Sequence, residues 1–309
     1  MSTDTNIYDM IVIGGGPGGL VSAIYGARSR MNVLVLEKMA PGGQIINTQD
    51  IDNYPGFPEG ITGPELAQNL HKQAKKFGAQ FKTGTVKELN LSKDKKDVIL
   101  ENEEKYSSKG IVIATGASPR QLEVPGEKEF AGKGVSYCAT CDGAFFQDKD
   151  VVVVGGGDSA LEEAVFLTRF ANKVYIIHRR NEFRGVKYLE EKVLTHKKIE
   201  VIFDSIVKEI KGETLLDGII LENVKTGEQK TLDCNGVFIY IGVNPNTEFL
   251  QEKVYLDKNG YIITNENMET NIEKVYAAGD IRHKTLRQIV TAMSDGAIAA
   301  FNLEKKLFT

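Results

Sequence analysis

Two apolar, β-branched runs in this chain are each followed by a glycine turn and a segment with helical spacing of apolar positions. The first segment, MIVIGGGPGGLVSAIYGARSRMNVLVLEK, covers residues 10–38, and the second, VVVVGGGDSALEEAVFLTRFANKVYIIHRR, covers residues 151–180. Each segment ends in a second apolar run, so each predicts a strand, a helix and another strand. The two copies align without a gap, which predicts two nucleotide-binding βαβ units.

Both turns have the spacing of a dinucleotide-binding loop. The first glycine allows a tight turn, the second lets the backbone approach a pyrophosphate, and the third position must be small for the helix to pack on the strand. The N-terminus of the helix then presents free N–H groups to the phosphates. These positions are Gly14, Gly16 and Gly19 in the first copy, and Gly155, Gly157 and Ala160 in the second.

The two copies differ at the end of their second strand, where a dinucleotide's adenosine ribose is bound. Glu37 of the first copy offers a carboxylate, which suits an unphosphorylated ribose. The second copy reads HRRNEFR from His178, and arginine side chains suit a 2′-phosphate. Two charge-assisted contacts of about 1.5–3 kcal/mol each favour NADP over NAD by a factor on the order of 10²–10⁴.

The arrangement of strands predicts an α/β protein in which the second unit is inserted into the first. Residues 111–120 and 275–280 each read as a strand whose end faces the same ligand. The C-terminal part of the chain is therefore expected to belong to the first unit. Pro119 and Pro245 mark the two crossings. We therefore expect two Rossmann-like domains, with small antiparallel β layers from residues 89–110 and 212–234. The expected boundaries are 1–118 with 248–309, and 119–247.

The stretch SYCATCDGAFF contains the pair Cys138 and Cys141, followed by Asp142. A structural zinc site needs four ligands, and the third cysteine, Cys234, lies far along the chain and reads as a core residue. A disulfide across two intervening residues closes too small a loop to stabilise much. Redox chemistry remains, and a C-x-x-C pair in an α/β protein favours it.

Two dinucleotide sites and a dithiol together predict an electron path. Nicotinamides transfer hydride, whereas disulfides exchange thiolates, and a flavin reacts with both. The first dinucleotide is therefore interpreted as FAD and the second as NADPH.

Composition excludes several other functions. A net charge of −4 and a pI near 5.8 argue against nucleic-acid or membrane-surface binding. The N-terminus lacks the basic region and apolar run of a signal peptide, and three cysteines are too few for a secreted disulfide framework. We therefore expect a cytoplasmic enzyme without a metal.

Over essentially its whole length the chain resembles the bacterial low-molecular-weight thioredoxin reductases. The motifs that carry the resemblance are GGGPGG, PGGQI, NYPGF, ATGASPR, CATCDGAFF, GGGDSALEEA, HRRNEFR, AAGDI and RQIVTAMSDGAIAA. The position of CATCD just before the second glycine motif is specific, because enzymes of the glutathione-reductase type have their cysteines early in the FAD domain.

The resemblance implies a role for each matching residue. Cys141 is the thiol that faces the flavin, Cys138 attacks the disulfide of thioredoxin, and Asp142 is the acid that exchanges protons. The implied FAD-binding residues are Gly14, Gly16, Pro17, Gly19, Glu37, Lys38, Gln44, Asn53, Ala114, Thr115, Gly116, Gly279, Asp280, Arg287 and Gln288. The implied NADPH-binding residues are Gly155, Gly157, Asp158, Ser159, His178, Arg179, Arg180, Arg184 and Gly242. A homodimer is also implied.

Other functions of a protein with the same domain architecture remain as alternatives. The acceptor could be another small redox protein, of the glutaredoxin or peroxiredoxin type. A ferredoxin–NADP reductase of this fold would lack the cysteine pair, and a nucleotide sensor that does not catalyse would lack the flavin.

Overall fold

The computed structural model of the chain describes residues 7–47, 51, 53–92, 95–250 and 253–309. Its strands and helices have the following bounds in chain order: β1 (Tyr8–Ile13), α1 (Pro17–Arg28), β2 (Val33–Glu37), α2 (Gly63–Lys76), β3 (Gln80–Thr83), β4 (Val86–Leu91), β5 (Lys96–Leu100), β6 (Lys105–Ile113), β7 (Ala117–Pro119), β8 (Val135–Ser136), α3 (Ala139–Asp142), β9 (Asp150–Gly155), α4 (Asp158–Leu167), β10 (Lys173–Ile177), α5 (Lys187–Leu194), β11 (Ile199–Ile202), β12 (Ser205–Gly212), β13 (Leu216–Asn223), β14 (Gln229–Asp233), β15 (Gly236–Tyr240), β16 (Val243–Pro245), β17 (Val275–Ala277) and α6 (Ile289–Phe308). Short 3-10 helices span Gly43–Asn47, Gly143–Phe146, Glu248–Leu250 and Gly279–Ile281.

The chain divides into two compact units, of which the first is discontinuous. One unit consists of residues 1–118 and 244–309, and the other of residues 119–243. The sequence predicts that the chain returns to the first unit at residue 248. The structure places it earlier because Asn246 donates its N–H to the Gly116 carbonyl (3.0 Å) and accepts the Thr115 hydroxyl on its own carbonyl (2.8 Å).

The first unit is built on a sheet in the order β3-β2-β1-β6-β5-β4, with β17 also paired to β6. Strands β3, β2, β1, β6 and β17 run parallel, whereas β5 and β4 add an antiparallel arm. The strand β6 serves both arms because its start pairs with β5 and its end pairs with β1 and β17. The β-branched run of β1, Met10–Ile13, is almost fully buried, as expected for a central parallel strand.

The C-terminal helix α6 completes the core of the first unit by packing against α1. Small residues allow the two backbones to approach closely. A Cβ at Gly296 would collide with the Gly18 carbonyl oxygen. The hydroxyl of Ser22 bonds the carbonyls of both Gly18 (2.9 Å) and Gly296 (3.1 Å) across this contact.

The second unit contains a parallel sheet in the order β11-β10-β9-β15-β8 and a separate antiparallel sheet in the order β12-β13-β14. Apolar residues on one face of the parallel sheet pack against α4, and those on the other face pack against the antiparallel sheet. The predictions of an α/β fold and of parallel sheets are therefore confirmed. A separate antiparallel layer is present in the second unit, whereas in the first unit the antiparallel strands β4 and β5 extend the main sheet.

Candidate functional site

The parallel strands of the first unit end in register at one edge of the sheet. Ile13 of β1 pairs with Leu36 of β2 and Ile113 of β6, and Ile113 pairs with Ala277 of β17. The segments that follow therefore meet at the carboxyl edge, where α/β sheets bind ligands. They contain most of the residues predicted to bind FAD: Gly14, Gly16, Pro17, Gly19, Glu37, Lys38, Ala114, Thr115, Gly116, Gly279 and Asp280.

The turn between β1 and α1 has the backbone geometry of a phosphate-binding loop. Gly14 has a φ of +100°, and a Cβ there would lie 2.7 Å from the Ala114 carbonyl carbon. A Cβ at Gly19 would collide with the Gly14 carbonyl oxygen, so helix and strand require a small residue there. The helix begins at Pro17 and has no acidic residue in its first turn. Its N–H groups and partial positive charge are therefore available to an anion.

Glu37 connects the end of β2 to this turn. Its Oε2 accepts the N–H of Gly15 at 2.6 Å, and its Oε1 accepts the N–H of Met39 at 3.1 Å. Each carboxylate oxygen has further lone pairs. The side chain can therefore accept ribose hydroxyls while two backbone groups hold it in place.

Asp280, in the short helix after β17, has a buried carboxylate oxygen for which the described residues provide no hydrogen-bond partner. Burial raises the pKa of this carboxyl, while Lys284 and Arg287 lower it. A buried acceptor normally has a donor. The unpaired oxygen therefore fits a ligand that brings a hydroxyl or N–H.

A second acid supports this segment from α6. Asp295 is buried and accepts the N–H of Gly279 (3.1 Å), a guanidinium N–H of Arg282 (2.9 Å) and the Lys284 ammonium (2.7 Å). Asp295 is not among the residues predicted from the sequence. The available signal was an acid at a core-facing position of an amphipathic helix, which needs buried cations as partners.

The remaining residues predicted for FAD lie around the N-terminus of α6 and the helix Gly43–Asn47. The guanidinium of Arg287 lies 4.0 Å over the ring of Tyr261. Gln288 is the N-cap of α6, and its side-chain oxygen accepts the Asn53 amide at 3.3 Å. Gln44 is exposed in the short helix.

The second unit has its own carboxyl edge, and the cysteine pair lies on it. Gly155 of β9 pairs with Tyr240 of β15, and Ser136 of β8 pairs with Phe238 of β15. The segments beyond β10, β9, β15 and β8 thus meet on one edge. They contain the disulfide and the residues predicted to bind NADPH: Gly155, Gly157, Asp158, Ser159, His178, Arg179, Arg180, Arg184 and Gly242.

The arginine segment after β10 is tied to the glycine turn, because the N–H of Arg184 bonds the Gly156 carbonyl at 2.7 Å. Arg179, Arg180 and Arg184 are exposed, and no acid among the described residues forms an ion pair with them. Burial lowers the pKa of His178, and the three arginine charges lower it further. His178 is therefore a neutral residue beside free cations.

The first turn of α4 follows Gly157, which is its N-cap. The Asp158 carboxylate accepts the N–H of Val186 at 2.7 Å and so fixes the segment that follows the arginines. Ser159 is exposed in the same turn. Asp158 is therefore engaged in holding the loop, whereas the Ser159 hydroxyl is accessible.

Cys138 and Cys141 form a disulfide, with their Cα atoms 5.3 Å apart. The Ser136 hydroxyl accepts the N–H of Cys138 (3.1 Å) and donates to the Asp142 carboxylate (2.6 Å). Both cysteines are half-buried, so a disulfide-exchange partner can reach this loop. Ser136 was missed by the sequence analysis, although a serine two residues before the first cysteine was visible there.

Cys234 has a different environment from this pair. It is 3% exposed, and burial, followed by nearby acids, raises its pKa to about 12. A buried thiol with a raised pKa is unreactive. In the described part of the chain, no group of His, Cys, Asp or Glu residues is arranged to hold a metal ion.

Both glycine turns leave room for a pyrophosphate. A Cβ at Gly157 would meet no atom within 4 Å, and one at Gly16 would meet only the Gly43 Cα, at 3.8 Å. With the unpaired oxygen of Asp280 and the free arginines, these features fit two nucleotide cofactors, one in each unit.

A family model described as pyridine nucleotide-disulphide oxidoreductase matches residues 8–296. The chain therefore belongs to this family, and membership implies a flavin, a pyridine nucleotide and a redox disulfide.

The comparisons with individual proteins are more specific. The chain is 46% identical to the thioredoxin reductase of Peptoclostridium litorale over 306 residues, which cover 97% of each chain. It is also 46% identical to that of Bacillus subtilis (strain 168), with 98% of this chain and 95% of the relative covered. The crystal structure of thioredoxin reductase from Streptococcus pyogenes MGAS5005 matches with a TM-score of 0.94 at 46% identity, covering 98% of this chain and 99% of that one. The predicted resemblance is confirmed.

None of the helices in the described residues is both long and apolar enough to cross a membrane. The expectation about a signal peptide concerns in part residues 1–6, which lie outside the described residues.

Proposed function

We propose that the protein is a thioredoxin reductase that transfers electrons from NADPH through FAD to the Cys138–Cys141 disulfide and then to thioredoxin. The observation that carries the proposal is the half-buried disulfide on the same sheet edge as the second glycine turn. The names of the similar proteins support thioredoxin as the acceptor.

FAD would be held by the first unit. The glycine turn and the N-terminus of α1 would bind its pyrophosphate, Glu37 its adenosine ribose, and Asp280 a further hydroxyl. NADPH would be held by the second unit, where the turn at Gly157 suits the pyrophosphate and the free arginines suit the 2′-phosphate.

FAD, when bound, accepts a hydride from NADPH and delivers the electron pair to a disulfide. The residues of this chain perform the exchange with thioredoxin. The Cys138 thiolate attacks one sulfur of the thioredoxin disulfide, which forms a mixed disulfide and releases one thioredoxin thiolate. The Cys141 thiolate then attacks the Cys138 sulfur, which restores the Cys138–Cys141 disulfide and releases the second thiolate.

Protons must follow the electrons. The net reaction consumes NADPH, one proton and the thioredoxin disulfide, and yields NADP⁺ and the thioredoxin dithiol. Asp142 adjoins Cys141 in sequence and accepts the Ser136 hydroxyl. It would move protons to and from the thiolates of the pair.

The resemblance also supports a homodimer that works in the cytoplasm. Sedimentation equilibrium of the purified protein would give twice the chain mass if the dimer is correct.

The deciding experiment is NADPH oxidation with and without oxidised thioredoxin, with NADH and a Cys138→Ser variant as controls. We expect thioredoxin-dependent NADPH oxidation that is weak with NADH and absent in the variant, although NADPH still reduces the flavin of the variant. Flavin reduction without any response to thioredoxin would contradict the acceptor. The same assay would then be run with glutaredoxin-like and peroxiredoxin-type proteins.

A further inference from the structure

Tyr240, the last residue of β15, lies beside the disulfide loop. Ser136 of β8 pairs with Phe238 of β15 in parallel register, so Tyr240 is level with Cys138, two residues further along each chain. Its phenol oxygen accepts the backbone N–H of Ala139 at 2.5 Å. Ala139 follows Cys138 directly and is fully buried. One side-chain hydroxyl thus holds the backbone between the two cysteines.

The loop is held from β8 as well. The Ser136 hydroxyl accepts the N–H of Cys138 and donates to Asp142. Two successive backbone N–H groups of the redox loop therefore bond to hydroxyls from two neighbouring strands, and not to a strand or helix ladder. Because each bond depends on one side-chain hydroxyl, each can be removed by a single substitution.

The Tyr240 ring lies on the sheet face that packs against α4. On that helix Glu163 shares a side with Ala160, Ala164 and Leu167, all of which are buried. Its Oε2 is buried, and no described residue bonds to it. Burial, and next the Glu163 carboxylate, raise the pKa of Tyr240. Tyr240 is therefore a neutral phenol throughout the physiological pH range, with its oxygen available to Ala139.

We propose that Tyr240 is a positioning residue of the redox disulfide, whose hydroxyl holds the backbone between Cys138 and Cys141 and thereby favours the disulfide over the dithiol. A buried N–H that loses its acceptor carries the full cost of its lost hydration. The disulfide fixes the loop at both cysteines, so it cannot relax when that acceptor is removed. The dithiol is free of this constraint, so its loop can rearrange to give the N–H another partner. Removal of the Tyr240 hydroxyl therefore destabilises the disulfide form more than the dithiol form.

The test uses the flavin-loaded Tyr240→Phe variant, which keeps the ring and removes only the oxygen. Wild type and variant are equilibrated in a series of oxidised and reduced dithiothreitol mixtures, and alkylation followed by mass spectrometry gives the fraction with free Cys138 and Cys141. We expect the equilibrium to shift toward the dithiol by about fivefold to a hundredfold, as for a buried donor that has lost its acceptor.

Tyr175→Phe is the matched control, because Tyr175 lies in β10 of the same sheet and packs on the opposite face. It should leave the equilibrium unchanged. An unchanged equilibrium in a folded Tyr240→Phe protein, or a shift toward the disulfide, would overturn the proposal.

If Tyr240→Phe does not fold, amide hydrogen exchange in the wild-type protein provides the test. The Ala139 N–H should exchange at least about tenfold faster in the dithiol than in the disulfide form. Equal protection in both forms would refute the assignment. The inference rests on the proposed redox role of the cysteine pair. Neither measurement uses NADPH or thioredoxin, so a failure of the inference about Tyr240 can be distinguished from a failure of the proposed function.

Discussion

The two glycine turns offer a matched pair of substitutions that assigns each cofactor to its unit. Gly16 and Gly157 are the N-caps of α1 and α4, with φ of −73° and −102°, values that any residue adopts. Alanine at either position meets no close protein atom. We therefore expect Gly16→Ala and Gly157→Ala to fold, at a cost of about 1 kcal/mol for a poorer N-cap.

The added methyl enters the space that a pyrophosphate would occupy. A phosphate oxygen in hydrogen-bond contact with the backbone N–H groups must then move away. Each lost charge-assisted bond costs about 1.5–3 kcal/mol, which weakens binding by roughly 10- to 150-fold. One lost bond is the minimum expectation, and the loss of two bonds would weaken binding by a factor on the order of 10²–10⁴.

The assay measures both cofactors in both variants. Flavin absorbance after gel filtration reports retained FAD, and titration of the purified protein gives the dissociation constant of NADPH. We expect Gly16→Ala to lose flavin while it still binds NADPH, and Gly157→Ala to stay yellow while NADPH binds weakly. The opposite pattern would refute the assignment, and unchanged binding in both variants would refute the location of the phosphate sites.

Three further predictions concern single features of the second unit. Replacing Arg179 and Arg180 by Gln should lower the ratio of kcat/KM for NADPH to that for NADH by a factor on the order of 10²–10⁴. Steady-state kinetics with both nucleotides measures this ratio, and an unchanged ratio would exclude these arginines as ligands of the 2′-phosphate. Burial, and next the charge of Glu162, raise the pKa of Glu163 from 4.5 to about 7. Between these pH values the folded protein holds a proton that the unfolded chain has released. The free energy of unfolding therefore falls as the pH rises through this window. The free energy of unfolding of Glu163→Gln, relative to that of wild type, should therefore rise by about 1–2 kcal/mol between pH 5 and pH 8, after allowance for solvent screening. Urea denaturation at both pH values measures this difference, and a difference that does not depend on pH would contradict the raised pKa. Cys234→Ala should leave thioredoxin reduction unchanged because the thiol is buried and protonated, and a loss of more than about tenfold with intact folding would give that thiol a role.

The two strand–helix–strand units and their nucleotide turns could be predicted from the sequence because their signals are local. A β-branched run, a glycine at a fixed offset and a following helical period all lie within residues 10–38 and again within 151–180. The ends of parallel strands also share an edge in any such sheet, which is why Glu37 and Asp280 could be placed near the same ligand.

The groups that support the site could not be predicted in this way because they depend on packing between distant segments. Tyr240 reaches Ala139 across 101 residues of sequence, through a register that only the folded sheet defines. Asp295 becomes a buried partner of Arg282 and Lys284 only after α6 has docked. In the sequence these residues read as ordinary members of a strand, a helix and a loop.

The discontinuity of the first unit has a consequence for how the chain folds during synthesis. Its sheet needs β17, and its helix α1 needs α6, yet both emerge from the ribosome after the whole second unit. Residues 119–243 form a continuous segment that can fold as soon as it is complete. After β6 ends at Ile113, the apolar strands β1, β2 and β6 must instead wait for about 160 further residues before β17 begins at Val275, roughly 8–32 s at ordinary rates of translation. During that interval their exposed edges are a substrate for chaperones and a risk for aggregation, so the inserted unit is expected to be the first native structure on the nascent chain.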